Sequence, residues 1–271
     1  MKTLAKRLFA LLSVAMLIVV PLAGQAADPQ KTFTPTSGQA GKDVVWVPTP
    51  QELVEQMLNL AKVTAQDVLF DLGSGDGRTV ITAAKRGARA TGIEYEPNMV
   101  ELSKKNAADA GVTARATFMK ADLFETDFSQ ATVITLFLLP DINLRLRPKI
   151  LDLKPGTRIV SNTFTMGDWN ADQTATVGPP CMNWCTALLW IVPAKVGGAW
   201  QVGGQELTLT QTFQEISGSL GANPISQGKL SGDVITFVAN GATYTGRVSG
   251  NRIQGTVTGG PGTNWTATKR P

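Results

Sequence analysis

The chain has 271 residues, 25 Lys and Arg against 21 Asp and Glu, and no histidine. That composition excludes any mechanism or metal site built on imidazole. The two cysteines, Cys181 and Cys185, are too few for a thiolate metal centre.

Lys2, Lys6 and Arg7 precede an apolar run over residues 8–20, then Pro21 and small residues ending Gly24-Gln25-Ala26. These are the three parts of a secretory signal peptide, predicted over residues 1–26, with an uncleaved membrane anchor as the alternative. Either one places the remainder outside the cytoplasm, periplasmic or extracellular. No acid lies before Ala26, so removing its three cations from the formal +4 leaves +1. No basic field remains to attract nucleic acid.

Residues 27–43 are polar, rich in Pro, Gly, Ser and Thr, and read as an exposed leader. Thr49, Pro50 and Glu52 have the spacing of a capping box, with proline at the first helical position. Leu53, Val54, Met57, Leu58 and Ala61 then fall on one face of a helix that packs on a sheet.

Residues 68–78 organise the chain. Val68, Leu69 and Phe70 read as a buried parallel strand; Gly73, Gly75 and Gly77 form a turn of close backbone approach; residues 79–85 continue as a helix. Asp71 is placed inside the turn, and Glu94 ends the next apolar run. Acids there suit ribose hydroxyls and an ammonium better than a pyrophosphate. The spacing of Gly73, Gly75 and Gly77 also departs from the dinucleotide fingerprint.

Pro97 opens a helix that Gly111 stops, and residues 116–119 form a short strand leading to Asp122 and Leu123. Asp122 either caps the segment after it or serves the same ligand as Glu94. Residues 131–139 are the most apolar strand and are expected beside the first. Asp141 and Asn143, just beyond it, face the crevice where open α/β sheets bind ligands, and residues 144–153 are helical. Residues 153–161 give a turn and a fifth strand. Asp168 and Trp169 come next in a loop, as substrate contacts or as a buried Trp beside a satisfied Asp.

Cys181 and Cys185 are spaced for a disulfide or for two buried thiols. Residues 186–192 are expected to close the sheet, and residues 193–198 to be a linker. From residue 199 the chain is rich in Gly, Thr and Ser and alternates apolar with polar. The phrase at Gly228-Lys-Leu-Ser-Gly-Asp-Val-Ile235 recurs at Gly246-Arg-Val-Ser-Gly-Asn-Arg-Ile253, each a strand, tight turn and strand. Hairpins in series make a meander, closed into a small barrel or sandwich with Trp200 and Trp265 in its core.

Asp71-Leu-Gly-Ser-Gly-Asp-Gly77, with Glu94 and Asp122, resembles the S-adenosylmethionine site of the seven-strand methyltransferases. The resemblance implies that Asp71, Gly73, Ser74, Gly75 and Gly77 pass under the methionine part, Glu94 holds the ribose, and Asp122 with Leu123 meets the adenine. Val47-Pro48-Thr49 before the first helix resembles the lysine methyltransferases related to the one that modifies the ATP synthase c-subunit, in which this segment folds over the cofactor. The Asp/Asn-Pro-Pro-aromatic tetrad of the enzymes that methylate adenine and amides is missing. The resemblance spans residues 45–169.

The expected fold is α/β, a Rossmann-like doubly wound sheet over residues 44–194, followed by an all-β domain over residues 199–271. The expected activity is methyl transfer to a protein lysine, with Asp141, Asn143 and Asp168 as the candidate catalytic set and no metal. The alternatives are a cofactor-binding sensor or scaffold without turnover, and a small-molecule methyltransferase. The expected partner is a protein, with no nucleic acid, and with a membrane only through the leading segment. The oligomeric state stays open.

Overall fold

The computed structural model describes residues 33–260 and 262–270. The signal-peptide reading of residues 1–26 falls outside them. Among the described residues, no helix is long and apolar enough to cross a membrane.

The helices are α1 (Gln51–Leu60), α2 (Arg78–Lys85), α3 (Pro97–Asp109) and α4 (Pro140–Leu151). The first seven strands are β1 (Val68–Leu72), β2 (Arg89–Glu94), β3 (Ala116–Lys120), β4 (Val133–Leu136), β5 (Arg158–Asn162), β6 (Gln173–Thr176) and β7 (Thr186–Ile191). They form one sheet in the order β3-β2-β1-β4-β5-β7-β6. β1 to β5 run parallel, and β7 is antiparallel to both its neighbours.

Helices cover both faces of this sheet, so the central strands are buried on both sides and mostly apolar, with Asp71 and Thr135 the polar pair between β1 and β4. Alternate residues serve opposite cores. Leu69, Val133, Val160 and Leu189 join the helix residues Leu53, Met57, Val80 and Val100. Phe70, Ile134, Ile159 and Trp190 join Ile142, Leu146, Ile150 and Trp169 on the other face.

Four local expectations are corrected. Asp71 belongs to β1 rather than to the turn, because its backbone stays in register with Gly92 and Thr135. The N-cap of α1 is Pro50, without a side-chain cap, so Thr49 and Glu52 form no capping box. α4 begins at Pro140, four residues earlier than expected, because proline at its start has fixed φ and needs no N–H partner. β7 lies inside the sheet, and the edge is β6, a four-residue strand too short and polar to show a period.

The remaining strands are β8 (Gly198–Val202), β9 (Gln205–Thr212), β10 (Glu215–Leu220), β11 (Asn223–Ser231), β12 (Val234–Ala239), β13 (Ala242–Ser249), β14 (Arg252–Thr258) and β15 (Asn264–Lys269). They close into an eight-strand antiparallel barrel, β15 returning to β8. Its inward residues make a core of their own around Trp200, Phe237 and Trp265. Closure leaves no strand edge open to a second chain.

Residues 193–198 connect the sheet to the barrel, with Ala194 and Val196 buried. Val196 N–H donates to Gln211 Oε1 at 2.7 Å, and Trp200 Nε1 to the Val196 carbonyl at 2.7 Å. The barrel also rests on the sheet. Phe213 stacks on Trp169 at 5.8 Å between ring centroids, and Gln214 Nε2 donates to the Asn170 carbonyl at 2.9 Å.

Candidate active site in a cleft over the glycine turn

After Leu72 the chain turns back toward β2, the N–H groups of Gly73 and Ser74 both donating to the Ile93 carbonyl. Gly77 then caps α2 with φ at +83°, where a Cβ would meet the Phe118 ring at 2.7 Å and Ser103 Cβ at 2.9 Å. Gly75, with φ at +53°, lies under the Trp46 indole, and a Cβ there would stand 2.5 Å from Nε1. Only glycine fits either position.

Two side chains one turn apart on α3 fix the loop from below. Ser103 Oγ donates to the Gly75 carbonyl at 2.8 Å, and Asn106 Nδ2 to the Asp76 carbonyl at 2.9 Å. Asp76 pairs with Arg78, whose Nη1 also donates to the Thr49 carbonyl at 2.9 Å. Ser74 Oγ is buried and lacks a hydrogen-bond partner among the described residues. A buried hydroxyl in a backbone cradle is an atom a ligand would satisfy.

Three acids surround this loop. Asp71 is buried, and burial raises its carboxyl to about 7 despite the hydrogen bond from Thr135; the charges of Glu94 and Asp76 push the same way. Glu94 ends β2, and its carboxylate accepts from the N–H groups of Gly75 at 2.9 Å, Tyr95 at 2.9 Å and Glu96 at 3.0 Å. Asp122 lies just past β3. Its carboxyl is lowered by the Lys42 ammonium and by the Phe124 N–H, which donates to it at 2.9 Å.

The segment before α1 closes the cleft. Residues 38–46 fold as a hairpin, Gly38 N–H donating to the Trp46 carbonyl at 2.8 Å and Trp46 N–H to the Gln39 carbonyl at 2.9 Å. Lys42 reaches Asp122 and lies 4.5 Å from the Tyr95 ring centroid. The leader is therefore not wholly exposed: residues 39–43 line the cleft, because Trp46 and Lys42 anchor the hairpin over it.

The cleft encloses about 1080 Å³, its mouth included. It brings together Thr49, Asp71, Gly73, Ser74, Gly75, Glu94, Asp122 and Leu123, with Phe137 and Leu138 from the end of β4. Gly77 lies just behind the lining, where it sets the turn.

The three residues expected to be catalytic lie elsewhere. Asp141 is exposed on the first turn of α4, and Ile142 is the residue of that turn that lines the cleft. Asn143 is fully buried and donates to the Thr165 carbonyl at 3.2 Å, bracing the loop after β5. Asp168 is 77% exposed and pairs with Arg147, which lowers its carboxyl. Trp169 is the buried alternative, at 0% exposure.

The sequence reading missed Trp46, Lys42, Thr135, Ser103 and Asn106. Thr135 had one visible signal, a hydroxyl inside an otherwise apolar strand. Ser103 and Asn106 had another, polar groups three apart among the apolar positions of a helix.

A family profile described as the ANTKMT methyltransferase domain matches residues 71–173, from Asp71 through the loop after β5. A protein-lysine N-methyltransferase of Saccharolobus islandicus (strain REY15A) is 43% identical over 152 residues, which are 55% of this chain and 94% of that protein. The Mus musculus lysine N-methyltransferase named for the ATP synthase c-subunit, 35% identical over 134 residues, aligns with 49% of this chain and 54% of its own length, so the chain spans about half of the mouse enzyme. A crystal structure described as an RNA methyltransferase of Salinibacter ruber, in complex with S-adenosyl-L-homocysteine, shares 47% identity and a TM-score of 0.52 over 55% of this chain and 96% of that one. The barrel lies outside the residues the profile matches. With nearly the whole length of a 43% identical relative aligned, this chain belongs to the ANTKMT-type methyltransferase family.

Proposed function

We propose that this protein transfers a methyl group from S-adenosylmethionine to the side-chain amine of a protein lysine, and does so outside the cytoplasm. The observation that carries the cofactor assignment is the buried Asp71, whose charged neighbours among the described residues are the acids Glu94 and Asp76. A cationic ligand over the glycine turn supplies the missing charge. S-adenosylmethionine brings an ammonium together with the sulfonium methyl that the reaction consumes.

Each part of the cleft then has a task. Asp71 faces the ammonium across the turn; Ser74 Oγ gains a partner; Glu94, oriented by three backbone N–H groups, accepts from ribose hydroxyls. Asp122 and Leu123 stand at the adenine end, with Lys42 and Trp46 holding the hairpin closed above. Enclosure excludes water and holds acceptor and methyl in line, which supplies most of the acceleration in such a displacement. With no histidine present and Asp141, Asn143 and Asp168 outside the cleft lining, no side chain is assigned as a strong base. A lysine, with solution pKa near ~10.4, sheds its proton to solvent as it is desolvated.

The lysine acceptor is supported by the names of the Saccharolobus and mouse relatives. Export is supported by the sequence of residues 1–26 and by the Cys181–Cys185 disulfide, a bond kept in oxidising compartments. The test is incubation of purified protein with methyl-labelled cofactor and, in separate arms, cell-envelope protein and RNA. Label mapped by mass spectrometry to a protein lysine is the expected result. Label on RNA, lipid or metabolite alone refutes the lysine acceptor, and cofactor binding without turnover in any arm makes the protein a sensor.

A further inference from the structure

One cluster of side chains reaches beyond the cleft from Phe137 in its lining. Phe137 lies just past β4 and lines the cleft. Its ring stacks on Phe164 at 5.8 Å between centroids and 19° between planes, and meets Trp184 edgewise at 6.0 Å and 61°. Three segments distant in sequence thus place aromatic rings together, with Phe137 the ring that lines the cleft and Phe164 and Trp184 packed against it.

Trp184 is unusual among them. It is 43% exposed although it is a large apolar side chain, and its φ is +53°, in the left-handed region that tryptophan rarely adopts. The disulfide between Cys181 and Cys185 closes the loop that carries it, and the Val177 N–H donates to the Cys185 carbonyl at 2.9 Å, tying that loop to the sheet. Phe164 is held from the other side, where Asn143 donates to the carbonyl of Thr165.

We infer that Phe137, Phe164 and Trp184 form the acceptor slot, with Trp184 the specificity-determining residue for an alkylammonium side chain; this rests on the reading of the cleft as a methyl-transfer site. Aromatic faces attract a cation through their quadrupole and also accept the methylene chain leading to it. The rings offer a nucleobase no sandwich. Phe137 and Phe164 already stack on each other, and Phe137 and Trp184 are tilted, so no two parallel faces stand apart to sandwich a planar group. In the slot the amine lone pair forms the new N–C bond as the S–C bond breaks, giving a methylammonium and S-adenosylhomocysteine. The cationic product binds the same faces.

The test is binding to protein loaded with S-adenosylhomocysteine, followed by saturation-transfer NMR. The probes are n-butylammonium and Nε-trimethyllysine, with uridine monophosphate as the competing class. Wild type is expected to bind both ammonium probes. Trp184→Leu, which keeps apolar bulk, is expected to lose about tenfold, and Trp184→Phe to stay within about threefold of wild type. Cys181→Ser/Cys185→Ser is expected to fall between them. S-adenosylhomocysteine affinity, measured by calorimetry, should be unchanged in all variants, which also shows that they fold. The inference is overturned if neither ammonium probe binds, if Trp184→Leu binds them as wild type does, or if uridine monophosphate is the probe whose binding depends on Trp184. Absence of turnover with ammonium binding intact would refute the methyl-transfer reading and leave the slot.

Discussion

Thr135 Oγ1 donates to Asp71 Oδ1 at 2.6 Å, and the two residues are register partners on adjacent parallel strands. This bond offsets only part of the cost of burying the carboxylate, since the carboxyl stays raised to about 7. With its folded value above its unfolded one, the native state holds the proton that the unfolded chain has lost. The resulting stability is complete below about pH 4 and disappears as pH rises through 7. The protein free of ligand should therefore weaken between pH 5 and pH 8. Asp71→Asn keeps an acceptor for Thr135 and removes the ionisation, so it should be more stable than wild type at pH 8 by a few kcal/mol. The same variant should bind S-adenosylmethionine about tenfold to a hundredfold more weakly. Urea titrations at the two pH values, with calorimetry, check both; an Asn variant with the wild-type pH slope would show that Asp71 is not the group responsible.

Glu94 has a double task, because Gly75 N–H donates to it while its position at the end of β2 suits a ribose. Glu94→Ala should lower S-adenosylmethionine affinity by about tenfold to a hundredfold, the loss of one or two charge-assisted hydrogen bonds. Glu94→Gln should recover part of this. Calorimetry that finds Glu94→Ala unchanged would remove the ribose assignment, and wild type preferring NAD would remove S-adenosylmethionine as the ligand.

The barrel has its own closed core, so residues 193–271 expressed alone are expected to keep their β circular dichroism. The connection itself should resist limited proteolysis more than a free linker would, because Ala194 and Val196 are buried. Phe213→Ala removes the stack on Trp169 and the ring under Arg147, and should destabilise docking by about 1–2 kcal/mol without unfolding the barrel. Rapid cleavage after Lys195 in the wild type would show the connection to be a free linker, and a barrel that loses its β signal when isolated would show that it is no separate unit.

The mature protein is expected to begin near Ala27. Fractionation of cells and intact mass decide this together. A cytoplasmic protein that retains Met1 would end the export proposal.

The sequence determined the parts of this protein that depend on local periodicity and chain order. Val68 to Phe70 had to be a buried strand, the three glycines after it had to be a turn, and the alternation after residue 199 had to be a meander. Even the seating of residues 131–139 beside the first strand was legible, since the most apolar strand needs cover on both faces. Tertiary structure decided the features that depend on side chains meeting from distant elements. Asp71 was visible as an acid near a glycine turn, but its raised carboxyl arises from burial, against the lowering effect of a hydrogen bond from a threonine 64 residues away. Asp141, Asn143 and Asp168 came after the correct strands, yet an early helix start at Pro140 turned the first two away from the cleft lining, and Arg147 took the third. The hairpin that covers the cleft carried no period at all. Its place depends on Trp46 meeting Gly75 and Lys42 meeting Asp122, contacts that exist only once the sheet has formed.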